Sequence, residues 1–304
     1  MSHSHARADA IQRLTRIESE LNRQLEEVCS RRSVSRTAKS VIRRLPCALH
    51  TLPTPRWTTY EFGCGTASFS KAFLAVTRGQ GGVVTVDNDP NACAHKKIDY
   101  ASYLCDGLDA DFAKCPPNVL MMCANCTSNS KMSAPSHRRS ENPVNGNPTS
   151  IAAQQAISFA NASNDALWRI MLKALRCNPQ CILIIETPAG FLENQPVYYD
   201  KFLGAFELTD TRVCRCKLYN TPYRKETIIL NNMTHWPPNG WHQPRRICIA
   251  SSLCVPLVQN KTRRHQNIVY CTTASRSAQF ESEMALDLAR ACLVELTLVY
   301  RNSI

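Results

Sequence analysis

At 304 residues, 44% of them hydrophobic, the chain is long enough for one sizeable core with small appendages. No apolar run approaches membrane-spanning length and the N-terminus is polar, so the sequence predicts no membrane partner and an intracellular protein, nuclear if its source is eukaryotic. The net charge of +12 points to a polyanionic partner, and the 16 cysteines are scattered, unlike a small secreted disulfide scaffold.

Residues 1–55 read as a basic helical extension. Ile11, Leu14, Ile17, Leu21, Leu25 and Val28 recur at spacings of three and four, an amphipathic helix suited to dock on the core or to pair with a partner helix. Between Val28 and Tyr60 stand seven Lys or Arg and no Asp or Glu, with Pro53 and Pro55 marking a boundary. From Thr58 to about Thr234, apolar runs alternate with helical patterns as repeated β-α units do. The expected fold is therefore α/β with a mostly parallel, doubly wound sheet, formed by residues 56–234.

Its first landmark is Tyr60-Glu61-Phe62-Gly63-Cys64-Gly65, where Gly63 and Gly65 permit a tight turn and close approach of a ligand. The strand Val83–Val86 then ends in Asp87, some twenty residues on, the spacing at which a carboxylate accepts bonds from ribose hydroxyls. Dinucleotide binders share that pattern, and the plainer reading of Asp87, or of Asp106 further on, is a solvated turn acid. Val119–Met122 runs into Cys123-Ala124-Asn125-Cys126-Thr127-Ser128-Asn129-Ser130, and Cys181–Ile185 runs into Glu186-Thr187-Pro188. Continuous apolar runs bounded by turn residues suit parallel strands buried on both faces, and ligands collect beyond the carboxyl ends of such strands. A thiol and a carboxylate at two of those ends can face one substrate; the plainer readings are a buried structural cysteine and a satisfied strand-end acid. Ser133 to Ser150, rich in Ser, Pro, Asn and Gly, reads as a long mobile loop carrying His137, Arg138 and Arg139 toward a nucleic acid. A helix follows from Ile151 to about Leu175.

Beyond this block, residues 235–275 form a small basic region with Trp236, Trp241, Arg245 and Arg246. Between Val213 and His265 nine Lys or Arg face the single Glu226, a second patch suited to phosphate. Cys248, Cys254 and His265, with Cys271 or the Cys214/Cys216 pair, contain zinc-ligand types. Their spacing is not that of a paired knuckle, so no metal site is assigned. Residues 276–304 hold a helix from Glu281 to Val299 that packs back on the sheet.

Three segments, in order and spacing, resemble the cytosine-C5 DNA methyltransferase family, particularly its compact phage and eukaryotic type. Ala124-Asn125-Cys126-Thr127-Ser128-Asn129-Ser130 is similar to Pro-Pro-Cys-Thr-x-x-Ser, and Glu186-Thr187-Pro188-Ala189-Gly190-Phe191-Leu192 to Glu-Asn-Pro-x-x-Gly-x-Leu. Pro222-Tyr223-Arg224-Lys225 resembles a later Pro-Tyr-Arg-Lys block. The likeness runs from about Tyr60 to His265. It implies a Rossmann-like fold, S-adenosylmethionine as cofactor, and base flipping with DNA as partner; RNA is the alternative polymer. It further implies Cys126 as the nucleophile, Glu186 as the acid on the N3/N4 edge of cytosine, and Arg224 as an orienting group. Phe62, Gly63 and Gly65 would line the amino-acid end of the cofactor, Asp87 its ribose and Asp106 its adenine. The chain departs from the pattern at Ala124 and Asn125, which stand for two prolines, at Thr187, which stands for asparagine, and at Glu226, where a basic residue is usual. The alternative function is a catalytically lapsed relative that binds nucleic acid or cofactor without turnover.

Overall fold

Continuous apolar runs become four adjacent parallel strands: β1 (Trp57–Phe62), β2 (Gly81–Val86), β3 (Val119–Cys123) and β4 (Ile182–Pro188). They belong to a computed structural model that describes residues 56–130, 133–214, 226–237 and 282–301. Two more strands, β5 (Thr209–Cys214) and β6 (Glu226–Asn231), complete a six-stranded sheet of order β2-β1-β3-β4-β6-β5. β6 runs antiparallel between β4 and β5. The protein is thus α/β with a mixed, mostly parallel sheet, in line with the expected class.

Side-chain parity explains why the central strands are apolar throughout. Tyr60, Phe62, Leu120, Met122, Leu183 and Ile185 point to one face. There they meet α2 (Tyr100–Asp106), α3 (Leu108–Lys114), the long α6 (Ile151–Cys177) and a π-helix (Val197–Ala205). Val119, Met121, Ile182 and Ile184 point to the other, against α1 (Ser68–Val76) and α7 (Ser282–Arg301). A sheet covered on both faces needs hydrophobic side chains at odd and even positions alike. Two short helices, α4 (Cys126–Asn129) and α5 (Ala134–His137), and a 3₁₀ turn (Leu192–Asn194) occupy the loops after β3 and β4.

One topological fact positions everything that follows. From β1 the chain moves outward to β2, then crosses back to place β3 on the opposite side of β1. The carboxyl ends of β1 and β3 therefore flank a switch point, where open α/β sheets leave a crevice for ligands. No helix among the described residues is long and apolar enough to cross a membrane. The predicted N-terminal helix within residues 1–55 lies outside the described residues, as do residues 238–275 of the basic region.

Candidate active site

At the end of β1 the chain turns through two left-handed residues, Gly63 at φ +67° and Gly65 at φ +50°. Gly63 has no room for a side chain: a Cβ there would overlap the Tyr100 hydroxyl and lie 3.0 Å from the Cys123 carbonyl oxygen. Gly65 faces open space, with nothing within 4 Å of where its Cβ would be. Asp87, directly after β2, braces this turn. Its Oδ2 accepts from the Gly65 N–H at 2.8 Å and its Oδ1 from the Asp89 N–H at 2.9 Å. The Tyr100 hydroxyl, donating to the Cys123 carbonyl at 2.9 Å, ties α2 to the switch point.

Two of the expected cofactor residues are placed differently. The Phe62 ring is fully buried beside the rings of Tyr100 and Tyr103, so it is a core side chain and offers the site only its backbone. Asp106 is the exposed last residue of α2, about 9 Å along the helix from Tyr100. The acid at the site end of that helix is Asp99. It caps α2 by accepting from the Ser102 N–H at 3.0 Å, and with Asn88, Tyr100, Asn125, Phe159 and Ser163 it lines a small cavity of about 40 Å³. The reason is local. After β2 only Lys96 pairs with the strand, in a single bridge to Val86, so the chain enters α2 before Leu104-Cys105-Asp106 is reached.

These residues fit the polar groups of a nucleoside-bearing cofactor: an open glycine, a braced carboxylate and a second acid beside an amide. The enclosed space takes only a fraction of such a molecule, since small-molecule pockets usually span about 300 Å³ or more. Binding therefore calls for a wider opening between α2 and α6.

The nucleophile and acid segments come from adjacent strands, with Cys123 opposite Glu186 in the parallel register. Past the strand ends they are stitched together. Ala124 donates to the Glu186 carbonyl at 3.1 Å, Phe191 to the Asn129 carbonyl at 2.7 Å, and Ser130 bridges Gly190. Cys126, the first residue of α4, is exposed, while Glu186 is only 8% exposed. Cys123 is the chemically quieter thiol. Burial, with the nearby Glu186 and Glu61 carboxyls, pushes it well above the usual cysteine range.

No family model matches the chain, and no curated protein sequence matches it. The site therefore rests on its own geometry, of which the polar layer beneath α4 is the part that sequence reasoning missed. Asn129, Asn164 and Gln195, all nearly or fully buried, are joined through their amides. Arg139 is fully buried as well. Its guanidinium donates to the Ser128 hydroxyl at 2.8 Å, the Pro143 carbonyl at 2.7 Å, the Asn161 amide oxygen at 2.8 Å and the Ile157 carbonyl at 3.3 Å. All of these acceptors are neutral, and burial lowers the guanidinium to about 10. His137, within 3.1 Å of the same Ser128 hydroxyl, is held below the ordinary histidine range by burial and by Arg139.

This corrects the expectation of a mobile basic loop at 133–150. Its described residues form α5 and a turn anchored from inside by Arg139, and Arg138, although exposed, pairs with Glu141. Arg224 lies outside the described residues, as do Cys216, Cys248, Cys254, His265 and Cys271. Among the described residues, no group of three His, Cys, Asp or Glu side chains could hold a metal ion.

Proposed function

We propose that the protein is an S-adenosylmethionine-dependent methyltransferase of Rossmann-like fold that methylates C5 of cytosine in DNA. One observation carries this reading: the exposed Cys126 follows the end of β3 and the nearly buried Glu186 lies near the end of the adjacent parallel β4, on segments bonded to each other, beside a glycine turn at the switch point. Gly65, Asp87, Asn88 and Asp99 are the residues that would hold the cofactor, which supplies an electrophilic methyl group when bound.

The chemistry asked of the chain's own groups is limited. The Cys126 thiolate adds to C6 of an extruded cytosine, moving electron density to C5. Glu186 hydrogen-bonds the N3/N4 edge and stabilises charge that develops there. After C5 has taken the methyl group, a base removes the C5 proton and the Cys126 sulfur leaves C6, restoring the aromatic ring. Extruding the base costs a few kcal/mol, which protein contacts must offset. The net charge of +12 supports a nucleic-acid partner, whose affinity should fall steeply with added salt.

The test is covalent trapping on DNA that carries 5-fluorocytosine, because fluorine at C5 cannot leave as a proton. A cofactor-dependent, denaturation-resistant adduct is expected, and its absence from Cys126→Ser would assign the sulfur. Trapping on RNA alone would move the substrate to that polymer. Cofactor and DNA binding without any adduct would leave a binding protein that does not turn over.

A further inference from the structure

Asn125, immediately before the proposed nucleophile, sits at φ −55° and ψ 110°. A proline ring would fix φ close to that value. Asparagine has no ring, so hydrogen bonds must hold the backbone there. One is its own Oδ1, which accepts from the Thr127 N–H at 3.1 Å in an exposed setting where water competes. The other is internal: the Asn125 carbonyl accepts from Asn129 Nδ2 at 2.9 Å.

The surroundings give Asn129 one orientation. It is fully buried, and its Oδ1 accepts from Gln195 Nε2 at 2.9 Å. Gln195 Oε1 accepts in turn from Asn164 Nδ2 at 3.2 Å, and Asn164 Oδ1 lies 3.5 Å from Asn129 Nδ2. Gln195 and Asn164 are 3% and 2% exposed, so water does not substitute for these partners. With its oxygen committed to Gln195, the Asn129 amide must present its N–H groups toward Asn125 and Asn164. A network of buried amides thus ends on the carbonyl that sets the direction in which Cys126 leaves the strand.

We infer that Asn129 is a positioning residue for Cys126: its side-chain amide, oriented by Gln195 and Asn164, holds the Asn125 carbonyl and so the peptide plane leading into Cys126, a turn that a proline at position 125 would restrain through φ instead. The inference rests on Cys126 being the reacting thiol, and it assigns Asn129 no contact with substrate.

The experiment is a rescue. Asn129→Ala removes the donor, and Asn125→Pro in the same chain supplies the φ constraint without it. Two readouts are followed: exchange of the Ser130 amide, which donates to the Cys126 carbonyl at 3.0 Å, and single-turnover methyl transfer. Asn129→Ala should speed exchange and slow transfer each by about five- to tenfold, the equivalent of one buried hydrogen bond, with cofactor affinity unchanged. Asn125→Pro/Asn129→Ala should bring both back to within about threefold of wild type, which loss of packing alone would not allow. Should Asn129→Ala not fold, Asn129→Leu fills the space, removes the donor, and is read the same way. Unchanged exchange in the single variant, or no recovery in the double variant, overturns the inference. If exchange follows the expected pattern while no form of the protein methylates DNA or RNA, the positioning role stands and the methyltransferase reading falls.

Discussion

Phe191 donates its backbone N–H to the carbonyl of Asn129 at 2.7 Å, which binds the loop after Glu186 to the turn begun by Cys126. The adjacent Ser130–Gly190 bridge adds a second backbone tie, and Gln195 reaches the Asn129 side chain from the same loop. Each segment therefore carries part of the geometry of the other. A ligand that displaced one loop would have to break these bonds or move both, so the thiol and the carboxylate are expected to keep their relative placement as the site opens.

The glycine turn yields the most direct stability test. Gly63→Ala combines a left-handed φ of +67° with a Cβ that overlaps the Tyr100 hydroxyl. It should cost about 2–4 kcal/mol in denaturant unfolding. Tyr100→Phe in the same chain removes the hydroxyl and should return part of that loss, leaving about 1 kcal/mol of backbone strain. A Gly63→Ala protein as stable as wild type would remove the steric account of this turn.

Much of this arrangement is legible in the chain, and the exceptions have physical causes. Val119–Met122 and Cys181–Ile185 announce buried parallel strands because both faces of each are covered; Cys126 follows where β3 stops, whereas β4 runs on through Glu186 to Pro188 because β6 pairs with it there. Asp99 was missed because the acid pattern at Asp106 carries no sign that the edge after β2 shrinks to the Lys96–Val86 bridge. Arg139 reads in sequence as half of an exposed basic pair. Its burial comes from α6 folding over it, with Ile157 and Asn161 more than fifteen residues away. Gln195 likewise has no local signal, since its role depends on a partner 66 positions earlier.

Glu61 should give the protein a measurable pH dependence. Within β1 it is almost fully buried and accepts from the Ser70 N–H at 2.8 Å, and burial pushes its carboxyl up to about 7 from an ordinary 4.5. In the folded chain it keeps its proton between those values while the unfolded chain loses it, so stability falls as pH rises through that window. Below 4.5 both states are protonated and Glu61 carries no penalty; above 7 the full difference, about 3 kcal/mol, is present. Asp99 and Asp111, held low by their hydrogen bonds, and His137, held low by burial, act in the opposite direction, so the wild-type profile alone mixes these groups. The difference between wild type and Glu61→Gln isolates Glu61. A difference that is flat from pH 4.5 to 7 would mean that the group is not neutral in the fold.

Adjacent arginines should behave very differently. Arg139→Ala empties a fully buried site and removes the donor to the Ser128 hydroxyl, the Pro143 and Ile157 carbonyls and the Asn161 amide oxygen, and should cost about 3 kcal/mol or more. Arg138→Ala breaks only an exposed pair with Glu141 and should stay within about 0.5 kcal/mol of wild type. Equal effects in urea unfolding would return both residues to the status of surface charges.

The two thiols at the end of β3 separate chemistry from structure. Cys126 is exposed at the start of α4, so Cys126→Ser should abolish methyl transfer and adduct formation while changing stability by no more than about 0.5 kcal/mol. Cofactor affinity should persist, because Gly65, Asp87 and Asp99 lie on other segments. Cys123 faces Glu186 across the strands, and burial together with that carboxyl and Glu61 keeps its thiol protonated. Cys123 packs, partly buried, against the core, so Cys123→Ser should cost about 1–3 kcal/mol and be felt chiefly in unfolding. Mapping iodoacetamide adducts at neutral pH distinguishes the pair without any assay of turnover: Cys126 should be alkylated in the folded protein and Cys123 spared until denaturant is added. Faster labelling of Cys123, or an adduct with 5-fluorocytosine that survives Cys126→Ser, would take the nucleophile away from Cys126.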